Sequence, residues 1–340
     1  MRKIIHEAHG DAVTVLTVVQ GDDAPTSVGA GEALVRVKFA PIHQGDLLGI
    51  AGSTAFGTNP PNIPQGGRIP GFEGVGWIEK LGADTDGFEV GDRVAFFPAN
   101  GTWRDSLVVP ASSLVRVPPE IEDEVAAQML INTATAMIIL RTGHNAVPSD
   151  KLEDVTVVQT GAASAVGRLV TRLLLLGGVR PIRIVRSVSS AEKLKAELPD
   201  VAVVATQAPD FREDLETAIG GRDVFVGVDG VGGPAFEELS RVVAEGGTIV
   251  NYGSLGGEGT DIRLIVPRSQ KIVGITVGTW GALDEETRRS DIQTALKLAA
   301  DFPQDFPVGG IYTPDRIEEA MAASTSATRT GTVLLDFRSN

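Results

Sequence analysis

The 340-residue chain contains no cysteine at all. This absence excludes disulfide bonds, thiolate nucleophiles and zinc sites built from cysteine. Clusters of basic residues are also missing, and the net charge is −14. A chain of this charge is a poor partner for nucleic acid or for an anionic membrane surface.

A long apolar run is missing as well. Near the start of the chain, Glu7 and Asp11 interrupt the apolar core that a signal peptide would need. The most apolar later stretch, LVTRLLLLGGV, contains Arg172 and is too short to span a bilayer. We therefore expect a cytoplasmic protein.

The chain has the composition of an ordinary globular protein, with 42% hydrophobic and 22% charged residues, and is long enough for two domains. Up to about residue 120, short alternating apolar segments between glycine and proline turns predict strands. The first long helical pattern covers residues 122–143. Three histidines, His6, His9 and His144, fall outside any motif and are expected on the surface.

From Val155 onward, strand patterns alternate with helix patterns until six apolar strands have passed. This alternation predicts an α/β fold with a doubly wound parallel six-stranded sheet, covered by helices on both faces. The residues after about 280 are helical and then return to a strand, GTVLLDF.

The first strand-to-helix turn of this sheet reads QTGAASAVGR. Small residues at Gly161, Ala165 and Gly167 allow a sharp turn that brings backbone N–H groups and a helix N-terminus to a pyrophosphate. Ala165 replaces the middle glycine of the usual GxGxxG pattern, so a tight turn without a ligand is the alternative. The alternating strands that follow favour a dinucleotide site.

The residue after the second strand of the sheet is Arg186, where an NAD site usually has an acidic residue. A guanidinium at this position can bind a ribose phosphate, which favours NADPH. The alternative is a solvated charge at the end of a strand. In the helix that follows, Ser189 and Glu192 have the spacing of a capping box, with Ser189 as the N-cap.

Seven stretches of the chain resemble the medium-chain dehydrogenase/reductase superfamily. They are PGFEGVG (70–76), GTWR (101–104), INTATA (131–136), VVQTGAASAVG (157–167), IVR (184–186), VDGVGG (228–233) and GGTIVNYG (246–253). Within it, the chain is most similar to the zinc-free 2-enoyl thioester reductases of the mitochondrial trans-2-enoyl reductase type, with the quinone oxidoreductases as near relatives.

The resemblance implies a domain organisation. A GroES-like, β-rich domain for substrate and catalysis would cover residues 1–122 and be completed by 281–340, and a Rossmann NADP(H)-binding domain would cover 123–280. It also implies a homodimer that acts on a small-molecule substrate. A final strand within KIVGITVG would leave a sheet edge for a second copy to pair with.

The resemblance also implies cofactor contacts, from the nicotinamide along the pyrophosphate to the lining of the pocket. They are Asn132, Ala163, Ser164, Ala165, Val166, Tyr252, Gly253, Ser254 and Leu255, together with Val277 and Gly278 within the segment 275–278. Trp280 would bound the acyl pocket. Tyr252 could instead be a buried strand end, and Trp280 an ordinary core aromatic.

Zinc alcohol dehydrogenases are the rival within the superfamily, and the residues argue against them. Their catalytic metal needs a cysteine where His43 stands and a histidine where Phe72 stands. His43 and Glu73 cannot supply the three protein ligands of a catalytic zinc site. The sequence therefore predicts no metal.

The source of the catalytic proton is the open question. Thr54 stands where the resemblance implies a tyrosine that protonates the substrate α-carbon, and a threonine hydroxyl has no comparable acidity. His43 is the candidate substitute, because an imidazole titrates near neutral pH. The alternative is a neutral histidine, hydrogen-bonded to Asp46 or to backbone, with water as the proton source.

Three functions follow as hypotheses. The first is NADPH-dependent reduction of an activated C=C bond in a 2-enoyl thioester, an enone or a similar compound, with hydride going to the β-carbon. The second is quinone reduction, which needs no protonated carbon. The third is NADPH binding without turnover, which the missing tyrosine keeps open.

Overall fold

The computed structural model describes residues 1–21, 24–53, 60–257, 261–326 and 328–338, apart from the side chains of residues 153, 154 and 262. The chain divides into two compact units. Unit 1 comprises Met1–Ile131 and Ile292–Asn340, and unit 2 comprises Asn132–Asp291. The boundaries expected from the sequence, after residues 122 and 280, lie shortly before these division points.

Fifteen strands and ten α-helices lie in the described part of the chain. The strands are β1 (Arg2–His6), β2 (Leu16–Gln20), β3 (Glu32–Ile42), β4 (Gly74–Leu81), β5 (Arg93–Phe96), β6 (Ser106–Pro110), β7 (Leu114–Arg116), β8 (Val157–Gln159), β9 (Ile182–Val185), β10 (Val203–Ala205), β11 (Val224–Asp229), β12 (Val243–Asn251), β13 (Lys271–Gly274), β14 (Val308–Tyr312) and β15 (Thr332–Asp336). The helices are α1 (Ala12–Val15), α2 (Gln44–Ile50), α3 (Asp123–Ala126), α4 (Met129–Ala146), α5 (Ala165–Leu176), α6 (Val188–Glu197), α7 (Phe211–Ile219), α8 (Gly233–Val242), α9 (Glu285–Asp301) and α10 (Ile317–Thr325). Among these described helices, none combines the length and the apolar character needed to cross a bilayer.

Unit 1 is organised around the long strand β3. This strand pairs with β4, β6 and β15 in a seven-stranded sheet whose order is β14-β15-β3-β4-β5-β7, with β6 joined to β3, while β1 and β2 form a separate ribbon. Its apolar residues join a core that includes Phe96 and Trp103, both fully buried. The Trp103 indole donates a hydrogen bond to the Pro41 carbonyl at 3.2 Å, so the ring is fixed at the end of β3.

Unit 2 has the parallel six-stranded sheet that the sequence predicts. The strand order is β10-β9-β8-β11-β12-β13, and every pairing in it is parallel. Helices α5 to α8 connect successive strands, and apolar residues such as Val158, Ile184 and Ile249 are buried between the layers. The chain reverses its direction of travel across the sheet between β8 and β11, which is where ligands bind in open parallel sheets.

The helical pattern over residues 122–143 is two helices rather than one. Helix α3 ends at Ala126, and α4 begins at Met129. Between them, the Gln128 amide donates to the carbonyls of Glu124 and Phe306, each at 3.2 Å. The break gives α4 its own N-terminus, with N–H groups that have no intrahelical acceptor.

Two further expectations from the sequence are wrong. Helix α6 is capped by Ser187, whose hydroxyl accepts from the Ser190 N–H, and not by Ser189. His6 is fully buried, because β1 exchanges backbone hydrogen bonds with Arg68 and is covered there.

Candidate active site

The turn between β8 and α5 has the geometry of a phosphate-binding loop. Gly161 adopts φ 62°, a conformation that favours glycine, and the Ser164 hydroxyl caps α5 by accepting from the Gly167 N–H at 3.0 Å. A Cβ at Gly167 would lie 2.3 Å from the Gly161 carbonyl oxygen, so the helix packs closely against the turn. Ala165 and Val166 begin the helix, where N–H groups have no intrahelical acceptor and can bind an anion.

A buried carboxylate holds the neighbouring strand ends together. Asp229, at the end of β11, accepts from the Thr160 hydroxyl at 2.5 Å and from the Asn251 amide at 2.7 Å. It also accepts from the Gly232 N–H at 3.0 Å. The carboxyl ends of β8, β11 and β12 are therefore joined through one side chain, which the sequence analysis did not single out.

Tyr252 follows β12 at the same edge of the sheet. A Cβ at Gly230 would lie 2.3 Å from the Tyr252 hydroxyl, so the ring packs directly over that glycine. Burial raises the pKa of Tyr252 to about 12, and the nearby Ser164 hydroxyl opposes this rise. Among the described residues, no hydrogen bond to this buried hydroxyl meets the usual distance and angle limits, although the Ser164 hydroxyl lies close enough to affect its pKa. A buried polar atom left in this way fits a site where a ligand supplies the partner.

The other predicted cofactor residues of unit 2 differ in exposure and in their position relative to the strand ends. Ser254 and Leu255 are exposed beyond Tyr252, and Gly253 lies against Gly230, where a Cβ would approach the carbonyl oxygen to 2.2 Å. Val277 and Gly278 follow β13, the strand next to β12, while Ala163 lies exposed in the β8–α5 turn.

Arg186 lies directly after β9, with its side chain exposed. Its carbonyl accepts from the Gln207 N–H at 3.0 Å and from the Thr206 hydroxyl at 3.3 Å, so the backbone there is anchored. Because β9 is the neighbour of β8, Arg186 follows the strand adjacent to the phosphate-binding turn. This is the position expected of a residue that distinguishes NADPH from NADH.

Asn132 and Trp280 are both buried. The Trp280 indole donates to Asp291 at 2.9 Å, and the same carboxylate receives both guanidinium nitrogens of Arg141, at 2.7 and 2.9 Å. The ring is thus fixed by a polar network, as in a core aromatic. Its role at an acyl pocket and the cofactor contact of Asn132 stay predictions.

In unit 1, His43 is held by a carboxylate that the sequence analysis considered only as a metal ligand. His43 ends the β3–α2 turn, and its Nε2 lies 2.7 Å from Glu73 Oε1. The other oxygen, Oε2, accepts from the Ile131 N–H in the first turn of α4 at 3.0 Å. The Glu73 side chain is 1% exposed and that of His43 is 12% exposed, so the pair lies almost entirely out of water.

The surroundings of His43 favour its charged form. Burial alone would lower the pKa of His43, but the hydrogen bond and charge of Glu73, with a contribution from Asp46, raise it above the ordinary value of 6.5. Asp46 brings its backbone N–H to the His43 side chain in the capping box of α2, so the alternative of a neutral histidine hydrogen-bonded to Asp46 or to backbone stays a prediction. The Asp46 carboxylate accepts from the backbone N–H groups of His43 at 2.8 Å and Gly71 at 3.0 Å, and burial raises its own pKa to about 6.

Thr54, the second catalytic candidate, lies outside the described residues. Glu73 was the functional residue whose role the sequence did not reveal. The sequence gives one indication of such a role. Glu73 is the only charged residue in the stretch PGFEGVG, whose other residues are apolar or small and are expected to be buried. An acidic residue in such a setting is expected to have a partner.

The residues present do not fit a catalytic zinc ion. His43 Nε2 is engaged by Glu73, and Phe72 offers no donor where the metal enzymes need a second ligand. No group of three or more histidine, aspartate or glutamate side chains suited to a metal occurs among the described residues. A catalytic zinc site needs three protein ligands, which this donor set does not provide.

The ion pair leads to a prediction for Glu73→Gln. The amide keeps the shape of the side chain and can still accept from Ile131, but it removes the charge that favours the imidazolium. We expect the pKa of His43 to fall, which an NMR titration of the ring protons would measure. The matched control is Glu79→Gln, an exposed glutamate in β4. An unchanged His43 titration in Glu73→Gln would contradict the assignment of Glu73 as the controlling charge.

Comparison with known proteins finds relatives over most of the chain. A mitochondrial enoyl-[acyl-carrier-protein] reductase of Caenorhabditis elegans is 29% identical over 327 residues, which covers 94% of this chain and 89% of that protein. The human protein of the same name is 28% identical over 290 residues, covering 82% of this chain and 73% of that protein.

Solved structures show the same fold over almost the whole chain. A provisionally assigned NADPH:quinone reductase from Bacillus thuringiensis matches with a TM-score of 0.84 and 25% identity, covering 98% of each chain. A mycobacterial protein in complex with NADPH matches with a TM-score of 0.81 and 24% identity, covering 99% of each chain.

Two family models match separate parts of the sequence. The alcohol dehydrogenase GroES-like domain matches residues 29–119, and the zinc-binding dehydrogenase model matches residues 165–301. Together they cover more than half of the chain. The chain therefore belongs to the medium-chain dehydrogenase/reductase superfamily of oxidoreductases.

Proposed function

We propose that this protein is an NADPH-dependent reductase of an activated C=C bond, such as that of a 2-enoyl thioester or an enone. The observation that carries the proposal is the buried His43–Glu73 pair, whose electrostatics favour an imidazolium that can donate a proton. The curated relatives named as enoyl-[acyl-carrier-protein] reductases support the thioester class.

Unit 2 carries the residues that would hold the cofactor. The β8–α5 turn and the N–H groups at the start of α5 would bind the pyrophosphate, and the Tyr252 hydroxyl would find its missing partner nearby. Arg186 would bind the ribose phosphate. When bound, NADPH supplies the hydride that is added to the β-carbon of the substrate. The similarity to the Bacillus protein, which is provisionally assigned as an NADPH:quinone reductase, supports this choice of cofactor.

His43 would supply the proton that completes the reduction at the α-carbon. Glu73 favours the charged imidazole and fixes its orientation, because one carboxylate oxygen binds Nε2 while the other accepts from the Ile131 N–H. Since Nε2 is bound to Glu73, the proton would have to leave from the other ring nitrogen, Nδ1. A positioned general acid contributes about 10²–10⁴-fold to rate. This assignment removes the need for a phenol at position 54. It also needs no metal, and we propose that the enzyme is zinc-independent.

Quinone reduction is the second candidate. It is favoured by the similarity to the Bacillus protein assigned as an NADPH:quinone reductase, and by the threonine at position 54. NADPH oxidation with a crotonyl thioester, an enone and a quinone separates the candidates. We expect alkene turnover to fall as the pH rises through the raised pKa of His43, because the acid form is lost, and quinone reduction to show no such fall.

His43→Gln is the decisive variant in that assay. It should lower alkene turnover by about 100-fold or more and leave quinone reduction in place, since only the alkene reaction needs a positioned acid. Alkene turnover that survives between pH 6 and 8 in His43→Gln would assign the proton to water or to another group. Turnover of the quinone alone would establish the second candidate, and NADPH binding without any turnover the non-catalytic one.

Arg186 leads to a prediction about cofactor preference. Arg186→Ala removes a charge-assisted contact worth about 1.5–3 kcal/mol, so NADPH affinity should fall at least tenfold while NADH affinity changes little. Fluorescence titration with both cofactors would measure this. Arg222→Ala, at another exposed arginine of unit 2, is the control. Equal losses for NADPH and NADH would show that Arg186 does not read the phosphate.

We further propose that the protein is a homodimer paired through β13. This strand lies at the edge of the six-stranded sheet, and Ile272 and Val273 are 46% and 37% exposed on it. An apolar edge strand is a template for pairing with a second copy. Light scattering at micromolar concentration should give the dimer mass. Ile272→Lys should weaken the association and lower the measured mass toward that of the monomer. Val90→Lys, at an exposed valine of unit 1, is the control, and a monomer mass for the unmodified protein would refute the proposal.

A further inference from the structure

Unit 1 contains a cavity of about 380 Å³ that the proposed chemistry does not use. Its lining includes Arg68, Arg104, Asn100, Gly67, Gly101 and Phe72, and we refer to it as the two-arginine cavity. No acidic side chain is among the lining residues that the structure describes. Two arginines thus line one cavity on a chain of net charge −14.

The two arginines are held in place by the surrounding backbone. Arg68 exchanges backbone hydrogen bonds with His6, at 2.9 and 3.0 Å. The Arg104 guanidinium donates through Nε to the Gly101 carbonyl at 2.6 Å, and the Gly101 N–H in turn donates to the Gly71 carbonyl at 2.9 Å. These contacts anchor the backbone at Arg68 and the guanidinium of Arg104, so the cavity is bounded by segments that are tied to the rest of unit 1.

The charge of Arg68 is only partly offset by the protein. Arg68 acts electrostatically on the buried carboxylate of Asp46, which already accepts the N–H groups of His43 and Gly71. Within the described part of the chain, no carboxylate forms an ion pair with Arg68. A guanidinium without an ion-pair partner binds most strongly to a ligand that carries a negative charge.

The wall of the cavity is continuous with the His43–Glu73 pair. Phe72 lines the cavity and immediately precedes Glu73 in the chain. Gly71 also lines it, and its N–H donates to Asp46, whose second oxygen accepts from the His43 N–H. A molecule whose one end occupies the cavity is therefore held beside the segment that carries the candidate proton donor.

We propose that the two-arginine cavity is an oxyanion subsite that binds a phosphate or carboxylate at the non-reacting end of the substrate. The anion binding follows from the cavity alone, and its use in substrate selection rests on the proposed reductase function. Guanidinium groups bind both oxyanions through paired N–H donors. The subsite selects activated alkenes that carry an anionic group over neutral alkenes of similar size.

The binding arm uses inorganic phosphate and acetate as probes, with chloride at equal ionic strength as the reference. Isothermal titration calorimetry is carried out on the Arg186→Ala variant, so that phosphate binding at the proposed NADPH site does not contribute to the signal. We expect phosphate or acetate binding that Arg68→Gln weakens at least tenfold. Arg68→Lys should keep part of the affinity, because the positive charge remains while the paired N–H donors of the guanidinium are lost. The control is Arg36→Gln, at an exposed arginine of β3.

The kinetic arm compares crotonyl thioesters of three thiols, which are neutral N-acetylcysteamine, phosphopantetheine and 3-mercaptopropionate. The KM of the phosphate or the carboxylate thioester should lie below that of the neutral one. Arg68→Gln should raise the ratio of anionic to neutral KM about tenfold, and Arg36→Gln should not. Whichever anion shows the larger effect identifies the natural end group.

The possible outcomes distinguish the two proposals. If no probe binds, or if Arg36→Gln weakens binding as much as Arg68→Gln does, the subsite is refuted. If phosphate or acetate binding depends on Arg68 but the KM ratio does not, its role in substrate selection is refuted. If binding depends on Arg68 while no thioester is reduced, the reductase proposal fails and the oxyanion site stands.

Discussion

The buried carboxylate of Glu73 is the constraint on which the candidate catalytic centre depends. A carboxylate removed from water must have each oxygen satisfied, and here one oxygen binds His43 and the other binds the Ile131 N–H. The second contact exists only because the chain stops after α3 and begins again at α4, which leaves an N–H group of the new helix without an intrahelical acceptor. The Glu73 side chain thus links three segments of unit 1, which are the start of α4, the PGFEG segment and the turn after β3.

Unit 2 uses a buried carboxylate for a different purpose. Asp229 accepts from a hydroxyl, an amide and backbone N–H groups, all of which are permanent donors. None of these partners titrates near neutral pH, so the arrangement fixes the strand ends. Glu73 is instead paired with an imidazole, the one side chain whose ordinary pKa lies close to neutrality. The nature of the partner separates a carboxylate that only fixes the backbone from one that can control a proton.

The sequence predicted those parts of the molecule that local patterns encode. Six apolar strands and a small-residue turn indicate the parallel sheet and the tight turn between β8 and α5, because period and turn residues report directly on the backbone. Contacts between distant segments are not visible in this way. The break at Gln128 depends on the carbonyl of Phe306, and the burial of His6 depends on Arg68. For the same reason, the pairing of Glu73 with His43, thirty positions away, had no local signal.

The His43–Glu73 pair couples the stability of unit 1 to its proposed chemistry. The pKa of His43 is raised above its ordinary 6.5, so the pair contributes stability in full below that pH and loses the contribution as the pH rises through the raised value. Proton donation is lost in the same direction, because it needs the same imidazolium. A tyrosine donor would stay protonated throughout this range, since a phenol ordinarily titrates near pH 10. If His43 is the proton donor as proposed, alkene reduction depends on pH near neutrality, and quinone reduction need not.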